Sequence, residues 1–95
     1  MDKKEAYQEK LQAQIDQWNA EIEKMRAKAE EAQASARVKY MEQVEELRGH
    51  QKEAEERLKD LQKAQGEAWE DMKSGAEAAW DEMNAAMKRA WTRFS

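Results

Sequence analysis

The chain has a single histidine, His50, which lies at helical spacing between two glutamates, Glu46 and Glu53. An imidazole and two carboxylates can bind a metal ion or move a proton. Structural zinc sites use four ligands, however, and catalytic zinc sites use three with one position open. We therefore interpret His50 as an exposed histidine near a turn and predict no metal site. A surface metal site with two or three ligands is the alternative.

Adjacent glutamates are the other residues that could do chemistry, for example Glu30 with Glu31 and Glu55 with Glu56. Paired carboxylates act as acid and base when a pocket perturbs them, but such pairs are more typical of a solvated helix face. The chain has no cysteine, and its one histidine offers no nucleophile–base pair. It also has no glycine-rich phosphate loop. The sequence predicts that the protein is not an enzyme and has no cofactor.

The composition restricts how these residues can be positioned. Charged residues make up 40% of the 95 residues and aromatic residues 7%, and the mean hydropathy is −1.24. Because so few side chains can leave water, we expect no compact core within one copy. The absence of proline and the low glycine count, three, favour long helices over disorder. Each helix would then bury one narrow apolar stripe against a second copy.

Charge and hydropathy also limit the partners. The net charge is −4, which is not the basic surface that a phosphate backbone selects. Lys88, Arg89 and Arg93 surround Trp91, but cations near a helix C-terminus complement the helix dipole, so we do not expect nucleic acid as a partner.

No apolar run suggests a signal peptide or a transmembrane segment, and a cytoplasmic location is the expectation.

Apolar or small residues recur at steps of three and four residues over most of the chain, which is the heptad pattern of a coiled coil. Two successive steps of four, from Ala36 through Tyr40 to Val44, mark a stutter. Gln51 is a polar position in the series and can fix the register. We call the following residues the heptad seam and predict that copies of the chain associate through it: Leu11, Ile15, Trp18, Ile22, Met25, Ala29, Ala32, Ala36, Tyr40, Val44, Leu47, Leu58 and Leu61.

The repeat changes to eleven residues near the C-terminus, where Trp69, Trp80 and Trp91 recur at that interval. Eleven residues come close to three helical turns, so the tryptophans lie on one face of an amphipathic helix. Acidic residues dominate the opposite face. We call this set the tryptophan face and predict that it meets a protein or lipid partner: Trp69, Met72, Ala76, Trp80, Met83, Met87, Trp91 and Phe94.

Glycines are the candidate helix breaks. Gly66 precedes an acid-rich first turn and is the preferred hinge, with Gly49 and an unbroken helix as alternatives. We therefore predict an all-α chain with a coiled-coil helix over residues 1–65 and an eleven-residue-repeat amphipathic helix over residues 66–95. The two would assemble into an oligomeric helical bundle.

The segment Ala68-Trp69-Glu70-Asp71-Met72, repeated as Ala79-Trp80-Asp81-Glu82-Met83, resembles the C-terminal helix of small bacterial coiled-coil proteins of about one hundred residues, some of them associated with stress. The resemblance extends over most of the chain, including residues 14–22, and implies a helical architecture and a bacterial origin, but no site residues. In pattern alone, the eleven-residue period is also similar to that of exchangeable apolipoproteins.

Two classes of function remain open from the sequence. The first is a self-associating structural or interaction protein, such as a scaffold. The second is a peripheral protein that binds a lipid surface, or another helical protein, through the tryptophan face. Tryptophan suits both a helix–helix interface and a lipid headgroup region.

Overall fold

The computed structural model describes residues 3–94, which form three α-helices joined by two short connections. Helix α1 spans Lys3–Glu31, α2 spans Ala34–Lys63 and α3 spans Glu67–Phe94. Because both connections reverse the chain, α1 and α3 run parallel to each other and antiparallel to α2, in a bundle of 52 × 21 × 18 Å. The all-α prediction is confirmed, and no strand occurs among these residues. None of the three helices combines the length and the apolar character needed to cross a membrane.

The connection between α2 and α3 follows the local sequence signals. The backbone N–H of Ala64 donates to the carbonyls of Asp60 and Leu61, at 3.0 and 3.3 Å, and these bonds close the end of α2. Gly66 has a φ of 59°, a left-handed conformation that glycine adopts without a steric penalty. Glu67 and Glu70 then place negative charge in the first turn of α3, where the helix dipole favours it. The preferred candidate break therefore coincides with a helix boundary, whereas Gly49 lies inside α2.

The connection between α1 and α2 has no such signal. The chain reverses at Ala32 and Gln33, where the sequence predicts an uninterrupted helix over residues 1–65, so that prediction is wrong. Gln33 has a φ of −62° and a ψ of 154°, an extended conformation. Folding back lets the two halves of the heptad seam bury each other, and this burial outweighs the local preference for helix.

One apolar core runs through the bundle and contains residues of all three helices, so the prediction that a single copy builds no compact core is also wrong. Alanines explain the discrepancy. Six of the core positions are alanine, and their small side chains let the helices approach closely, so that few large side chains fill the space between them. Those alanines are Ala29, Ala54, Ala76, Ala79, Ala86 and Ala90.

The polar seam residue Gln51 is buried, with 5% of its surface exposed, and it has a partner. One guanidinium nitrogen of Arg48, Nη1, donates to Gln51 Oε1 at 2.9 Å and to Asn19 Oδ1 of α1 at 2.7 Å. The other, Nη2, pairs with the Glu23 carboxylate, also of α1. Arg48 therefore satisfies the amide oxygen of Gln51 and links α2 to α1.

Candidate helix–helix interface

The tryptophan face of α3 lies inside the bundle. Its buried members are Trp69, Ala76, Trp80, Met83 and Met87. Trp91 is half-buried, and Met72 keeps 37% of its surface exposed. The Phe94 side chain lies outside the part of the chain that the structure describes. Most of the face that the sequence assigns to a partner is thus covered by the chain's own helices.

Aromatic contacts set the register between α1 and α3. The rings of Tyr7 and Trp69 meet edge to face, with centroids 5.8 Å apart, and those of Trp18 and Trp80 lie 5.3 Å apart. One step further along, the Lys28 ammonium lies 5.3 Å from the Trp91 ring centroid. Tyr7 and Trp18 are separated by eleven residues, as are the tryptophans of α3. Two parallel helices with the same period bring their aromatic residues level at each repeat.

Tyr7 is not among the site residues that the sequence predicts, and its eleven-residue spacing from Trp18 identifies it only once α1 is known to run parallel to α3. Its hydroxyl donates to Glu77 Oε1 of α3 at 3.4 Å. Burial, followed by the negative charge of Glu77 and this hydrogen bond, raises the pKa of the Tyr7 phenol above its ordinary value. The neutral phenol is therefore the form that this interface favours.

Two lysines lie over the Tyr7–Trp69 pair of aromatic rings. The Lys4 ammonium lies 5.5 Å from the Trp69 ring centroid, and the Lys73 ammonium lies 5.6 Å from it and 5.2 Å from the Tyr7 centroid. Cations over aromatic faces contribute about 0.5–1 kcal/mol at exposed sites. The interface is thus apolar at its centre and cationic at its edge.

Two indole N–H groups in the interface are buried without a hydrogen-bond partner among the described residues. They belong to Trp69 and Trp80. An unsatisfied buried donor costs about 1–3 kcal/mol. Burial of their apolar surface is therefore what these tryptophans contribute to the stability of the interface, since their N–H groups make no hydrogen bond there.

The heptad seam is divided between α1 and α2, and most of it is buried within one copy. The buried members are Leu11, Ile15, Trp18, Ile22, Met25, Ala29, Val44, Leu47, Leu58 and Leu61. Three members close to the α1–α2 connection, Ala32, Ala36 and Tyr40, are only partly buried. The expectation that the N-terminal stripe finds no cover within its own chain is therefore wrong, because α1 and α2 cover each other.

His50 lies in the middle of α2 and is partly buried, so the interpretation of an exposed histidine near a turn is wrong. Its Nδ1 lies 3.5 Å from Glu82 Oε1 of α3, and its Nε2 lies 3.9 Å from Glu46 Oε1. Sequence reasoning missed Glu82, because only the fold brings it beside His50. Ligand atoms of His50, Glu53 and Glu82 lie within 4.8 Å of one another and could hold a divalent cation, although both glutamates are exposed.

Comparison of the chain with models of protein families, with curated proteins and with solved structures found no match.

Proposed function

We propose that this chain is a non-enzymatic structural protein that works by helix association and assembles with further copies of itself. One observation carries the proposal: the seam residues recur at steps of three and four from α1 into α2, and most of their side chains are buried in helix–helix contacts. A seam of this kind is complementary to a second seam of the same sequence. The cellular role that we propose for the assembly is that of a scaffold.

The remaining surface supports this choice of interface. Among the described residues, the large apolar side chains that are exposed are Val38 and Met72. Two isolated side chains do not make an apolar patch of the size that marks an interaction site. Association between copies therefore uses the apolar contacts that already exist between the helices.

The mass of the protein in solution, measured by light scattering during size-exclusion chromatography from low micromolar to millimolar concentration, tests the proposal. We expect species larger than the 11.1 kDa monomer, in an amount that rises with concentration. The variants Val38→Lys and Met72→Lys are the controls and should associate as the parent does. A monomer throughout would contradict self-association, and loss of association in either control would assign it to the surface.

A specific observation favours a second candidate function, which is binding to a lipid surface through the tryptophan face. The buried N–H groups of Trp69 and Trp80 have no acceptor in the part of the chain that the structure describes, whereas a lipid headgroup region would supply one. Flotation with zwitterionic vesicles tests this function, because the acidic polar face of α3 disfavours anionic lipid. Protein that floats with the vesicles, with tryptophan emission that differs from that of the bundle, would support it. Protein that stays in the dense fraction would exclude it.

A further inference from the structure

The α1–α2 connection consists of residues that also suit a helix interior. Ala32 and Gln33 form the reversal, and Ala34, Ser35 and Ala36 begin α2. None of these is a glycine or a proline, and no described residue other than Gly66 has a positive φ. The Gln33 φ of −62° already has a helical value, and its ψ of 154° is the angle that departs from helix. The backbone at this reversal is therefore free of any feature that prevents a continuous helix.

The same connection lacks the capping that usually stabilises a helix start. The Gln33 side chain makes no capping hydrogen bond, and the first turn of α2 has no acidic residue. The Ala32 carbonyl accepts a hydrogen bond from the Arg37 guanidinium at 3.2 Å. In a continuous helix, the first N–H groups of α2 would pair with the last carbonyls of α1. Straightening would thus satisfy backbone groups that this turn leaves without helical partners.

The steps of three and four residues that define the heptad seam continue through the reversal. Ala29, Ala32, Ala36 and Tyr40 follow one another at steps of three and four residues. A turn whose only role was to reverse the chain would not need to keep this spacing. On a continuous helix over residues 3–63 these steps, with the stutter from Ala36 to Val44, keep the seam residues on one side.

We infer that two copies of the chain exchange α1, with α1 and α2 of each copy joined into one helix over residues 3–63. This inference rests on the proposed self-association and specifies its interface. In the exchanged dimer, α1 of each copy packs on α2 and α3 of the other, so each bundle is rebuilt from two chains. The Arg48–Asn19 hydrogen bond and the Trp18–Trp80 contact then form between copies instead of within one. Only the reversal changes, which is why such exchange is a low-cost route to a dimer.

The centre of the exchanged dimer is a new contact, and the sequence suits it. In an antiparallel pair of joined helices, the residues around 32 and 33 of one copy face the same residues of the other. The seam residues there are Ala29, Ala32 and Ala36, whose small side chains allow two helices to cross closely. The alanines that are partly buried in the single copy, Ala32 and Ala36, would be covered in the dimer.

Thiol cross-linking between Asn19→Cys and Arg48→Cys tests the exchange, because the chain has no cysteine of its own. The two single variants are mixed, unfolded in denaturant, refolded together at high concentration and treated with a short bismaleimide. We expect a covalent dimer that contains one chain of each variant. The double variant at low concentration should instead cross-link within one chain. A non-covalent dimer that gives no link between the two single variants would overturn the exchange and leave self-association standing. A monomer at every concentration would overturn both.

A glycine at the reversal gives a second test. Gln33→Gly should change the closed turn little, but it places a glycine inside each joined helix. This lowers the equilibrium constant for forming the joined helix by about fivefold per chain. We expect dimerisation about 25-fold weaker, since the dimer contains two such helices. Lys52→Gly is the matched control, because residue 52 is exposed and helical in both states and its glycine costs each state equally. An equal change of dimerisation in the two variants would overturn the inference.

Discussion

Trp80 is buried where α3 packs against α1. Only 5% of its surface is exposed, and its ring lies 5.3 Å from that of Trp18. Trp80→Ala should lower the free energy of unfolding by about 3–5 kcal/mol, because it removes a large buried aromatic side chain and leaves a cavity. Thermal and urea melts followed by circular dichroism measure this change.

Met72→Ala is the control for that measurement. Met72 belongs to the same face of α3 but keeps 37% of its surface exposed, so its truncation should cost less than about 1 kcal/mol. Equal losses in the two variants would mean that the tryptophan face is not packed as described.

Tyr7 predicts a pH dependence of stability. The folded state raises the pKa of its phenol, through burial first and Glu77 second, so the unfolded chain loses the proton at a lower pH than the folded chain. The Tyr7 contribution to stability is therefore complete below about pH 10, the ordinary tyrosine pKa, and is lost as the pH rises through the folded-state value. Tyr7→Phe should weaken the decline of stability in this alkaline range, as measured by urea unfolding on both sides of pH 10.

Tyr40→Phe controls for the loss of a phenol as such, since Tyr40 is the only other tyrosine. The assignment to Tyr7 predicts a smaller alkaline decline for Tyr7→Phe than for Tyr40→Phe. The opposite order would show that the Tyr7–Glu77 contact does not form in solution.

At the scale of the helices, one glycine is required at a helix boundary, and another is only tolerated inside a helix. Gly66→Ala should destabilise the protein by about 1–2 kcal/mol, because its φ of 59° forces a Cβ into the left-handed region. Gly49→Ala should stabilise it by about 0.5–1 kcal/mol, because residue 49 lies inside α2 with open space around the added Cβ. Melting temperatures of the two variants check both signs, and a shift in the same direction for both would contradict the helix boundaries.

The helices themselves could be predicted because helix propensity and apolar phase are local properties. The seam residues from Leu11 to Leu61 and the tryptophan face follow from residue spacing alone. The reversal at Gln33 could not be predicted in this way. No breaker residue marks it, and it exists because the two halves of the seam bury each other when the chain folds back. Propensity arguments fail where tertiary burial decides.

The contacts of the candidate site could not be predicted from residue spacing either. Contacts such as Tyr7 with Trp69 and His50 with Glu82 join residues far apart in the chain, and they depend on which helices are neighbours. Periodicity identifies the face of each helix, but it does not state which face covers which. The eleven-residue spacing of Tyr7 and Trp18 becomes informative only when α1 is known to run parallel to α3.

For the whole molecule, one reversal of the chain separates the closed bundle from the exchanged dimer. A single copy measures 52 Å in its longest dimension. A joined helix over residues 3–63 would be about 90 Å long, at 1.5 Å per residue. An exchanged dimer is therefore much longer than a single bundle, and a side-by-side dimer of two closed bundles is not. Particle shape separates the two at the same mass.

Small-angle X-ray scattering coupled to size-exclusion chromatography, on protein refolded at high concentration, measures mass and length together. We expect a particle of twice 11.1 kDa with a maximum dimension near that of the joined helix, about 90 Å or slightly more. Monomer of 11.1 kDa and about 52 Å at every concentration, or a dimer no longer than one closed bundle, would contradict it.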